Sequence, residues 1–513
     1  MKTGKIIFTL LGGAFFALTA CGSSSVDIDK EPDITVTPTP DPNPKKGEAK
    51  VFTTTADGFQ RLRETSVGVT TQQGMSPQIL QIDAAQKFQT MDGFGFALTY
   101  STCYNLLKMS KEDRTILLKR TYSPTEGYGV SYARISIGCN DFSSKEYTLC
   151  DKKGPDGDLL KNFALQDDET RYVIPILKEV LAINPNLKVI AAPWTCPKWM
   201  KVKDLKSHTP YDSWTDGHVD DAYYDTYAQY FVKFVQAMKT EGINIYAVSP
   251  QNEPLNPGNC ASTVMPWQEE ANFVKAMAGA FKQNGLTTQI YVYDHNYDYD
   301  NQADQQDYPV KLYNAIGTSF NGAELIAGAA YHDYGGSNTE LDDVYSKAPQ
   351  KSLIFSETSI GTWNKGRNLA TRLMEDMKNV ALGTVNKHCK AVLVWNLMLD
   401  TNRGPNLDGG CQTCYGAIDI NPNGYTDLSY NSHYYIICHL SAVVEPGAVR
   451  VGTKQSTVNA NIIYSLFANP DGTYAAVLLN VGENQQNITL TDGTNYFLVN
   501  VPAKSVASCK WNK

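Results

Sequence analysis

The chain has 513 residues, of which 42% are hydrophobic and 11% aromatic, and its formal net charge is −8. Acidic and basic residues are scattered along it, so no contiguous basic surface for nucleic acid is predicted. The sequence contains neither a Walker-type phosphate loop nor a Gly-x-Gly-x-x-Gly motif, and no cofactor is predicted.

The N-terminus has the pattern of an export signal. Lys2 and Lys5 precede an apolar run over residues 6–17, which is shorter than the roughly 20 residues that span a membrane. The next letters, LTAC, end at Cys21 and resemble a bacterial lipobox. Residues 1–20 are therefore predicted to be a lipoprotein signal peptide, and Cys21 the lipidated residue of an outer-membrane protein at the cell surface. The alternative is an ordinary secretory peptide with a chance cysteine.

Residues 21–49 are predicted to form a disordered tether. This stretch is rich in Ser, Pro, Thr and acidic residues and has too little apolar surface to bury. Membrane contact is expected only through the lipid. The next segment, residues 50–84, is predicted to contribute strands to a β-domain.

Residues 85–445 show a regular alternation of strand and helix patterns. The eight apolar runs of strand length are MDGFGFAL, YARISIG, KVIAAPW, IYAVSPQNE, QIYVYDHN, LIAGAAYHDY, SLIFSETS and AVLVWNLM. Between the third and fourth runs, Tyr227, Phe231 and Phe234 recur at helical spacing, and Gly242 is a helix stop. Eight strand-then-helix units predict an α/β fold, a (β/α)8 TIM barrel.

Residues 446–513 change to short alternating runs such as NIIYSLFA and TYAAVLLN, with a turn signal at Asn469–Gly472. This pattern predicts antiparallel strands in an accessory β-sandwich domain.

Polar and aromatic residues follow the predicted barrel strands. In a TIM barrel the active site lies at the carboxyl ends of the strands, so these side chains are expected to converge. No clustered His/Cys set is present, and no metal is predicted. Cys411 and Cys414 form a lone C-x-x-C, for which a loop disulfide is favoured over redox chemistry or zinc. The strand-end residues are Asp141, Trp194, Asn252, Glu253, Asp294, His295, His332, Tyr334, Glu357, Trp395 and Asn396.

Two of these residues form a pair suited to glycosidic bond cleavage. Glu253 follows the fourth strand and Glu357 the seventh, so they can flank a sugar, one as proton donor and the other as attacking carboxylate. Such a pair needs different pKa values. Arg134, on the second strand, is expected to keep Glu357 ionised, whereas burial and the negative neighbour are expected to raise the pKa of Glu253. Flat ring faces for a sugar are offered by Trp194, Tyr334 and Trp395.

Several motifs together resemble glycoside hydrolase family 30, which includes glucosylceramidases and β-1,6-glucanases. They are VSPQNEP, SETSIG, RISIGCNDFS, APWTCPKWM, WNLMLDTNRGPN and EPGAVRV, and the resemblance extends from about residue 85 to the end. It implies a barrel with a β-sandwich built from both termini, cleavage with retention, Glu253 as acid/base and Glu357 as nucleophile. It also implies a sugar-binding and supporting set made of Arg134, Asp141, Trp194, Asn252, His332, Tyr334, Trp395 and Asn396.

Two positions depart from the glucosylceramidase-like members. Tyr100 stands where an Asp is expected after the first strand, and Asp333 stands where an aromatic residue usually separates His332 and Tyr334. Both changes bear on the substrate subclass.

The predicted function is a retaining β-glycoside hydrolase, and a monomeric endo-β-1,6-glucanase acting on polysaccharide is the first choice. The alternatives are a glucosylceramidase and an exo-acting β-glucosidase or β-xylosidase. A non-catalytic glycan-binding surface lipoprotein is the alternative of a different class.

Overall fold

The computed structural model describes residues 39–297 and 302–513. The predicted signal peptide and Cys21 lie outside this part of the chain. The strands are, in chain order, β1 (Glu48–Thr55), β2 (Arg63–Gly68), β3 (Gln78–Thr90), β4 (Gly93–Ala97), β5 (Tyr132–Ser136), β6 (Lys188–Ala192), β7 (Lys201–Val202), β8 (His218–Val219), β9 (Ile245–Val248), β10 (Gln289–Asn296), β11 (Ile326–His332), β12 (Ser352–Glu357), β13 (Ile360–Gly361), β14 (Cys389–Asn396), β15 (Met398–Asp400), β16 (Cys414–Tyr415), β17 (Ile418–Ile420), β18 (Leu428–Tyr430), β19 (Val449–Ser456), β20 (Ile462–Ala468), β21 (Thr473–Asn480), β22 (Gln486–Thr491), β23 (Tyr496–Val501) and β24 (Ser505–Asn512). The α-helices are α1 (Tyr100–Lys108), α2 (Lys111–Tyr122), α3 (Ile174–Ile183), α4 (Tyr224–Thr240), α5 (Trp267–Gln283), α6 (Tyr308–Ile316), α7 (Thr339–Lys347), α8 (Leu369–Asp376), α9 (Leu382–Val385) and α10 (Ser432–Ser441).

Eight parallel strands close into a barrel, which confirms the predicted fold class. Around the barrel the order is β10, β11, β12, β14, β4, β5, β6 and β9, and β9 pairs with β10 to complete the circle. The four residues of β9 and the six of β12 carry the fourth and seventh runs of the sequence pattern. The barrel interior is filled by buried side chains from the strands, among them Tyr132, Ile190, Ala247, Tyr291, Ala330 and Ile354.

Helices cover the outside of the barrel through apolar faces. In α4 the predicted face is buried, with Tyr227, Phe231 and Phe234 fully inaccessible to solvent. The segment turns just beyond α4 at Gly242, whose φ of +83° lies in the left-handed region that favours glycine. In the described residues, no helix combines the length and the hydropathy that a membrane crossing requires.

The β-sandwich domain is built from both ends of the chain. Its nine-stranded sheet has the order β2, β1, β24, β21, β20, β19, β3, β22 and β23. Most neighbours pair antiparallel, whereas β22 runs parallel to β3. The buried Phe497 and Trp511 pack edge to face in the core of the domain.

Two predicted boundaries differ from the structure. β1 begins at Glu48, and before it Pro40 and Pro42 are buried while the N–H of Asp41 donates to Glu64 at 3.1 Å. The described end of the predicted 21–49 tether is therefore part of the domain, because its prolines are buried and Asp41 bonds to the edge strand β2, which composition alone does not reveal. β3 also continues to Thr90, past the predicted start of the barrel at residue 85.

Candidate active site

A cleft of about 300 Å³ opens at the carboxyl ends of the barrel strands. Seven of the predicted site residues line it. A larger cavity of about 640 Å³ lies where the sandwich turn at Asp57 meets the barrel loop at Arg367, but its two carboxylates, Asp57 and Asp419, are engaged by Thr55 and Arg367. The lining residues of the smaller cleft are Asp141, Trp194, Asn252, Glu253, Asn256, Asn259, Asn296, Tyr334, Glu357, Ser359, Trp363, Trp395, Cys411 and Cys414.

Glu253 is held in a turn that sets the direction of its side chain. Its φ of +48° lies in the left-handed region, which is unfavourable for a residue with a Cβ and recurs at functional sites. Its N–H donates to the carbonyl of Asp294 at 3.0 Å, and the N–H of Asn252 donates to the carbonyl of Pro193 at 2.8 Å. Neighbouring strand ends therefore hold the turn in place.

Three hydrogen-bonding groups converge on the Glu253 carboxylate. Nδ1 of His332 lies 3.2 Å from Oε1, while the side-chain amides of Asn256 and Asn259 donate to Oε2 at 2.7 and 2.9 Å. Burial would raise the pKa of Glu253, but these bonds, above all that from His332, lower it to about 2. The expectation of a raised pKa is thus wrong, because the bond from His332, the charges of His295 and His332 and the amide of Asn256 together outweigh desolvation.

His332 lies beneath the cleft between two carboxylates. It is fully buried, and its Nε2 lies 3.1 Å from Oδ1 of Asp294, on the side opposite Glu253. Burial would lower the pKa of His332, but the charge of Glu357 and the bonds to Asp294 and Glu253 raise it to about 9. Both pKa shifts favour the proton on His332 rather than on Glu253. Substrate contact by His332 stays a prediction, and its side chain is fully buried outside the lining of the cleft.

For Asn396 the predicted substrate-binding role also stays a prediction. Its side chain is 2% exposed, its Oδ1 accepts a hydrogen bond from the hydroxyl of Thr99 at 2.5 Å, and it does not line the cleft. Trp395 faces the cleft, whereas the register of β14 on β4 shifts between Val394 and Asn396, so simple alternation does not set the direction of Asn396.

Arg134 connects the carboxylates of the site. Its buried guanidinium forms ion pairs with Glu357 and, at 2.8 Å, with Asp294, and it donates to Oδ1 of Asn252 at 2.7 Å. The predicted pairing with Glu357 is confirmed. The hydroxyl of Tyr334 donates to the other oxygen of Glu357 at 2.9 Å. Burial raises the pKa of Glu357, although His332 and Arg134 oppose the rise.

The two glutamates lie close enough for direct attack on a bound sugar. One oxygen of Glu253, one oxygen of Glu357 and a ring nitrogen of His332 lie within 4.8 Å of one another. Retaining glycosidases separate their carboxyl groups by about 5–5.5 Å, and inverting enzymes by about 6.5–9.5 Å. The same three groups could ligate a metal ion, but the ion pair of Arg134 with Glu357 and the bond of His332 to Asp294 already satisfy them.

Asp141 is held in place by a loop that is distant from it in sequence, the loop that contains Leu407 and Cys411. The N–H of Cys411 donates to its Oδ2 at 3.0 Å, and the N–H of Leu407 donates to its backbone carbonyl at 2.8 Å. Burial and the charge of Glu357 raise the pKa of Asp141 to about 6. Cys411 is joined to Cys414 by a disulfide, which confirms the favoured interpretation of the C-x-x-C motif.

Aromatic rings occupy two levels of the cleft. Trp194 and Trp395 form the floor, with ring centroids 5.3 Å apart and exposures of only 2% and 6%. Tyr334 and Trp363 stand at the rim and are 42% and 52% exposed. Trp363, Asn256, Asn259 and Ser359 were not predicted, because they lie on loops beyond the strand ends. The one available signal was their closeness in sequence to the glutamates.

A closed parallel barrel with two adjacent carboxylates at its mouth, above a floor of indole rings, defines the class of TIM-barrel glycosidases. Comparison with known families places the chain within it. The description Glycosyl hydrolase family 30 TIM-barrel domain matches residues 91–444, and Glycosyl hydrolase family 30 beta sandwich domain matches residues 447–509. The chain belongs to glycoside hydrolase family 30 and is an O-glycosyl hydrolase.

Individual relatives agree with this family. The chain is 30% identical to Endo-1,6-beta-D-glucanase BGN16.3 of Trichoderma harzianum over 82% of this chain and 84% of the relative. It is 25% identical to Putative glucosylceramidase 1 of Caenorhabditis elegans over 90% of this chain and 88% of the relative. Among solved structures, the endo-beta1,6-glucanase BT3312 is 54% identical with a TM-score of 0.86, over 91% of this chain and 100% of the other.

Proposed function

We propose that the protein is a retaining endo-β-1,6-glucanase in which Glu253 is the acid/base and Glu357 the nucleophile. The observation that carries the reaction type is the separation of their oxygens, which lie within 4.8 Å. The linkage is supported by the 54% identity with the endo-beta1,6-glucanase BT3312 along 91% of the chain.

In the first step Glu357 attacks the anomeric carbon, and the bond from this carbon to the leaving oxygen breaks. Glu253 gives a proton to that oxygen, so the departing sugar leaves as an alcohol. Arg134 and Tyr334 contact separate oxygens of Glu357 and hold the attacking carboxylate in one orientation. In the second step water attacks the glycosyl ester, Glu253 accepts its proton, and Glu357 is released. Two displacements return the anomeric carbon to its original configuration.

The proton for the first step is shared by Glu253 and His332. A protonated His332 beside ionised Glu253 carries the same total charge as neutral His332 beside protonated Glu253. Transfer along their 3.2 Å hydrogen bond therefore needs no proton from solvent. The negative charge of Glu357 is a large cause of the raised pKa of His332. Ester formation removes this charge, which favours movement of the proton to Glu253 as the bond breaks.

The glucose at the cleavage position fits the floor of the cleft. Trp194 and Trp395 offer apolar ring faces, and the Asp141 carboxylate is an acceptor for sugar hydroxyls. Oδ1 of Asn252 is occupied by Arg134, which leaves its NH₂ group as the donor toward the sugar. The free enzyme thus holds a pocket in which most polar groups are already oriented.

Product analysis tests this function. The panel is β-1,6-, β-1,3- and β-1,4-glucans, xylan and glucosylceramide, with products separated by size and the first-formed anomer identified by NMR. We expect oligosaccharides of several lengths from β-1,6-glucan, with the β anomer formed first. Release of glucose alone would indicate an exo-acting enzyme. Cleavage of glucosylceramide would favour the activity named for the Caenorhabditis elegans relatives. Binding of glucan without cleavage would support the glycan-binding lipoprotein.

We further propose that the enzyme is exported and acts as a monomer at the cell surface, held to the outer membrane by a lipid on Cys21. The LTAC sequence and the preceding charged and apolar segments support this location. The low-complexity residues that follow provide the reach from the membrane to the catalytic domain.

A further inference from the structure

The rim of the cleft carries an indole ring that the cleavage mechanism does not use. Trp363 is 52% exposed although it lines the same cleft as Glu253 and Glu357. The floor residues Trp194 and Trp395 are 2% and 6% exposed. A half-exposed indole in the lining of the catalytic cleft presents a flat apolar face and an N–H donor to whatever occupies that part of the cleft.

The backbone around Trp363 holds the ring in one place. A Cβ at Gly361 would lie 1.9 Å from the indole, so the ring packs directly on the glycine backbone. The N–H of Gly361 donates to Oδ1 of Asn364 at 2.9 Å, and the N–H of Gly366 donates to the carbonyl of Gly361 at 2.8 Å. The Trp363 turn, residues 361–366, is therefore closed on itself. A pre-positioned ring binds a ligand without a further loss of conformational entropy.

The disulfide loop supports the same turn from outside. Gly361 pairs with Cys414 between β13 and β16, and the N–H of Thr362 donates to the carbonyl of Thr413 at 3.0 Å. Cys414 is bonded to Cys411. The position of the Trp363 ring is thus set by a cross-linked segment as well as by its own turn.

The direction of the leaving group follows from the barrel order. The residues proposed to hold the glucose are Asp141 after β5, Trp194 after β6 and Trp395 near the end of β14, and these strands are neighbours through β4. Glu253, the proposed proton donor to the leaving oxygen, follows β9, which pairs with β6 on one side and with β10 on the other. The rim beyond β10, β11 and β12 carries Asn296, Tyr334 and Trp363. The next sugar therefore leaves across this rim.

We propose that Trp363 is the platform of a leaving-group subsite, on which the indole stacks against the C–H face of the sugar that departs. This inference rests on the proposed glucanase function. The ligand that this subsite selects is a β-linked glucose unit. Such a sugar has an apolar C–H face that can stack on the flat indole ring, and equatorial hydroxyls that can bond to the amide side chains of the cleft. The same subsite can also bind an acceptor sugar in place of water for the second step. The hydroxyl of this acceptor attacks the glycosyl ester and forms a new glycosidic bond, while Glu253 takes the hydroxyl proton and Glu357 is released.

Substrates that fill different subsites test the proposal. β-Glucosyl fluoride places one glucose at the cleavage position, and β-gentiobiosyl fluoride adds a second sugar on the side away from the leaving group. β-1,6-Linked gluco-oligosaccharides also fill the leaving-group side. We expect Trp363→Ala to lower kcat/KM about tenfold on the oligosaccharides and to leave both fluorides within about twofold.

Acceptor binding is measured directly by trapping the ester with 2-deoxy-2-fluoro-β-glucosyl fluoride and adding gentiobiose. Trp363→Ala should slow reactivation of the trapped enzyme by gentiobiose, and Trp363→Phe should restore part of the rate. Gly361→Ala gives an independent variant, because its φ of −166° suits alanine and the three atoms nearest to the added Cβ all belong to the Trp363 indole, which has to move. Gly361→Ala should reproduce the loss, yet add little to Trp363→Ala in the double variant.

Phe59→Ala is the matched control, since Phe59 is 82% exposed on the sandwich domain and should not affect any of these rates. Unchanged oligosaccharide turnover and reactivation in Trp363→Ala would overturn the inference. A loss confined to β-gentiobiosyl fluoride would also overturn it, because the ring would then lie on the opposite side. If the native enzyme neither cleaves the oligosaccharides nor forms the trapped ester, the proposed function fails instead.

Discussion

Nδ1 of His332 lies 3.2 Å from Oε1 of Glu253, and this contact is the route by which the proposed acid would share its proton with a buried imidazole. The pair can release a proton to the leaving oxygen while the shared proton is present. It loses this ability as the pH rises through the pKa of His332, at about 9. Glu357, the proposed nucleophile, must be ionised to attack, so its raised pKa is expected to limit activity at acid pH.

The first prediction concerns the pH dependence of kcat/KM. Replacing His332 by Asn removes the raised imidazole pKa, so the alkaline limb should move from about pH 9 to lower pH, where Glu253 alone loses its proton. The acidic limb should change less, because Arg134 and Tyr334 still contact Glu357. Rates on β-1,6-gluco-oligosaccharides from pH 4 to about 10 measure both limbs. His208→Asn, at an exposed histidine, is the control, and an unshifted alkaline limb in His332→Asn would contradict the shared proton.

The second prediction concerns proton donation by Glu253. Glu253→Gln should lower kcat on glucan by about 10²–10⁴-fold, because the leaving alkoxide is no longer protonated. An aryl glucoside with a very good leaving group should keep a near-native first step. Burst kinetics on dinitrophenyl β-glucoside compare the two steps. Equal losses on good and poor leaving groups would argue against the acid role, and Glu324→Gln, at an exposed ion pair, is the control.

The third prediction concerns the nucleophile. Glu357→Ala should lower turnover by at least about 10³-fold, since no glycosyl ester forms. Azide should restore cleavage of an activated glucoside by attacking from the face that Glu357 vacates. The product is expected to be the α-glucosyl azide, whereas Glu253→Ala with azide should give the β-glucosyl azide. NMR of the products distinguishes them, and a β product from Glu357→Ala would reverse the assignment.

The barrel and the positions of the two glutamates could be predicted because both follow from the regular alternation of strand and helix patterns in the sequence. Alternation of strands and helices gives the architecture, and closure of eight strands brings the residues after β9 and β12 together. The charge distribution was not predictable in the same way. Whether Glu253 or His332 holds the proton depends on contacts between residues far apart in sequence, since His332 lies between Glu253 and Asp294. The amides of Asn256 and Asn259 add to this from a loop without periodicity.

Burial at the strand ends was equally hidden from the sequence. His332 and Tyr334 stand two residues apart after one strand, yet the first is fully buried and the second is 42% exposed. The predicted start of the β-sandwich domain was wrong for a related reason. Pro40 and Pro42 belong to a stretch whose composition disfavours folding, but both are buried. Asp41 between them bonds to Glu64 in a sheet that is formed mainly by the distant C-terminal strands.

The fourth prediction concerns the membrane anchor. Cys21→Ala should move the protein from the membrane fraction to the soluble fraction, because a lipid attached to this cysteine is the proposed anchor. Fractionation of expressing cells, followed by glucanase assays of both fractions, measures the change. Ser23→Ala, two residues further along, is the control and should stay with the membrane. Unchanged membrane association of Cys21→Ala would contradict lipidation.

The fifth prediction concerns the disulfide at the cleft wall. Cys411 donates its N–H to Asp141, and Cys414 pairs with Gly361 beside the Trp363 turn, so one cross-link supports both sugar positions. The Cys411→Ser, Cys414→Ser double variant should raise KM for glucan about tenfold while kcat changes little, since the glutamates keep their own partners. Reducing the native enzyme should have the same effect. The eight other described cysteines outside this pair are buried thiols, so labelling of two newly reactive thiols would report reduction of this bond. A fall in kcat at constant KM would show instead that the loop supports the glutamates rather than the sugar.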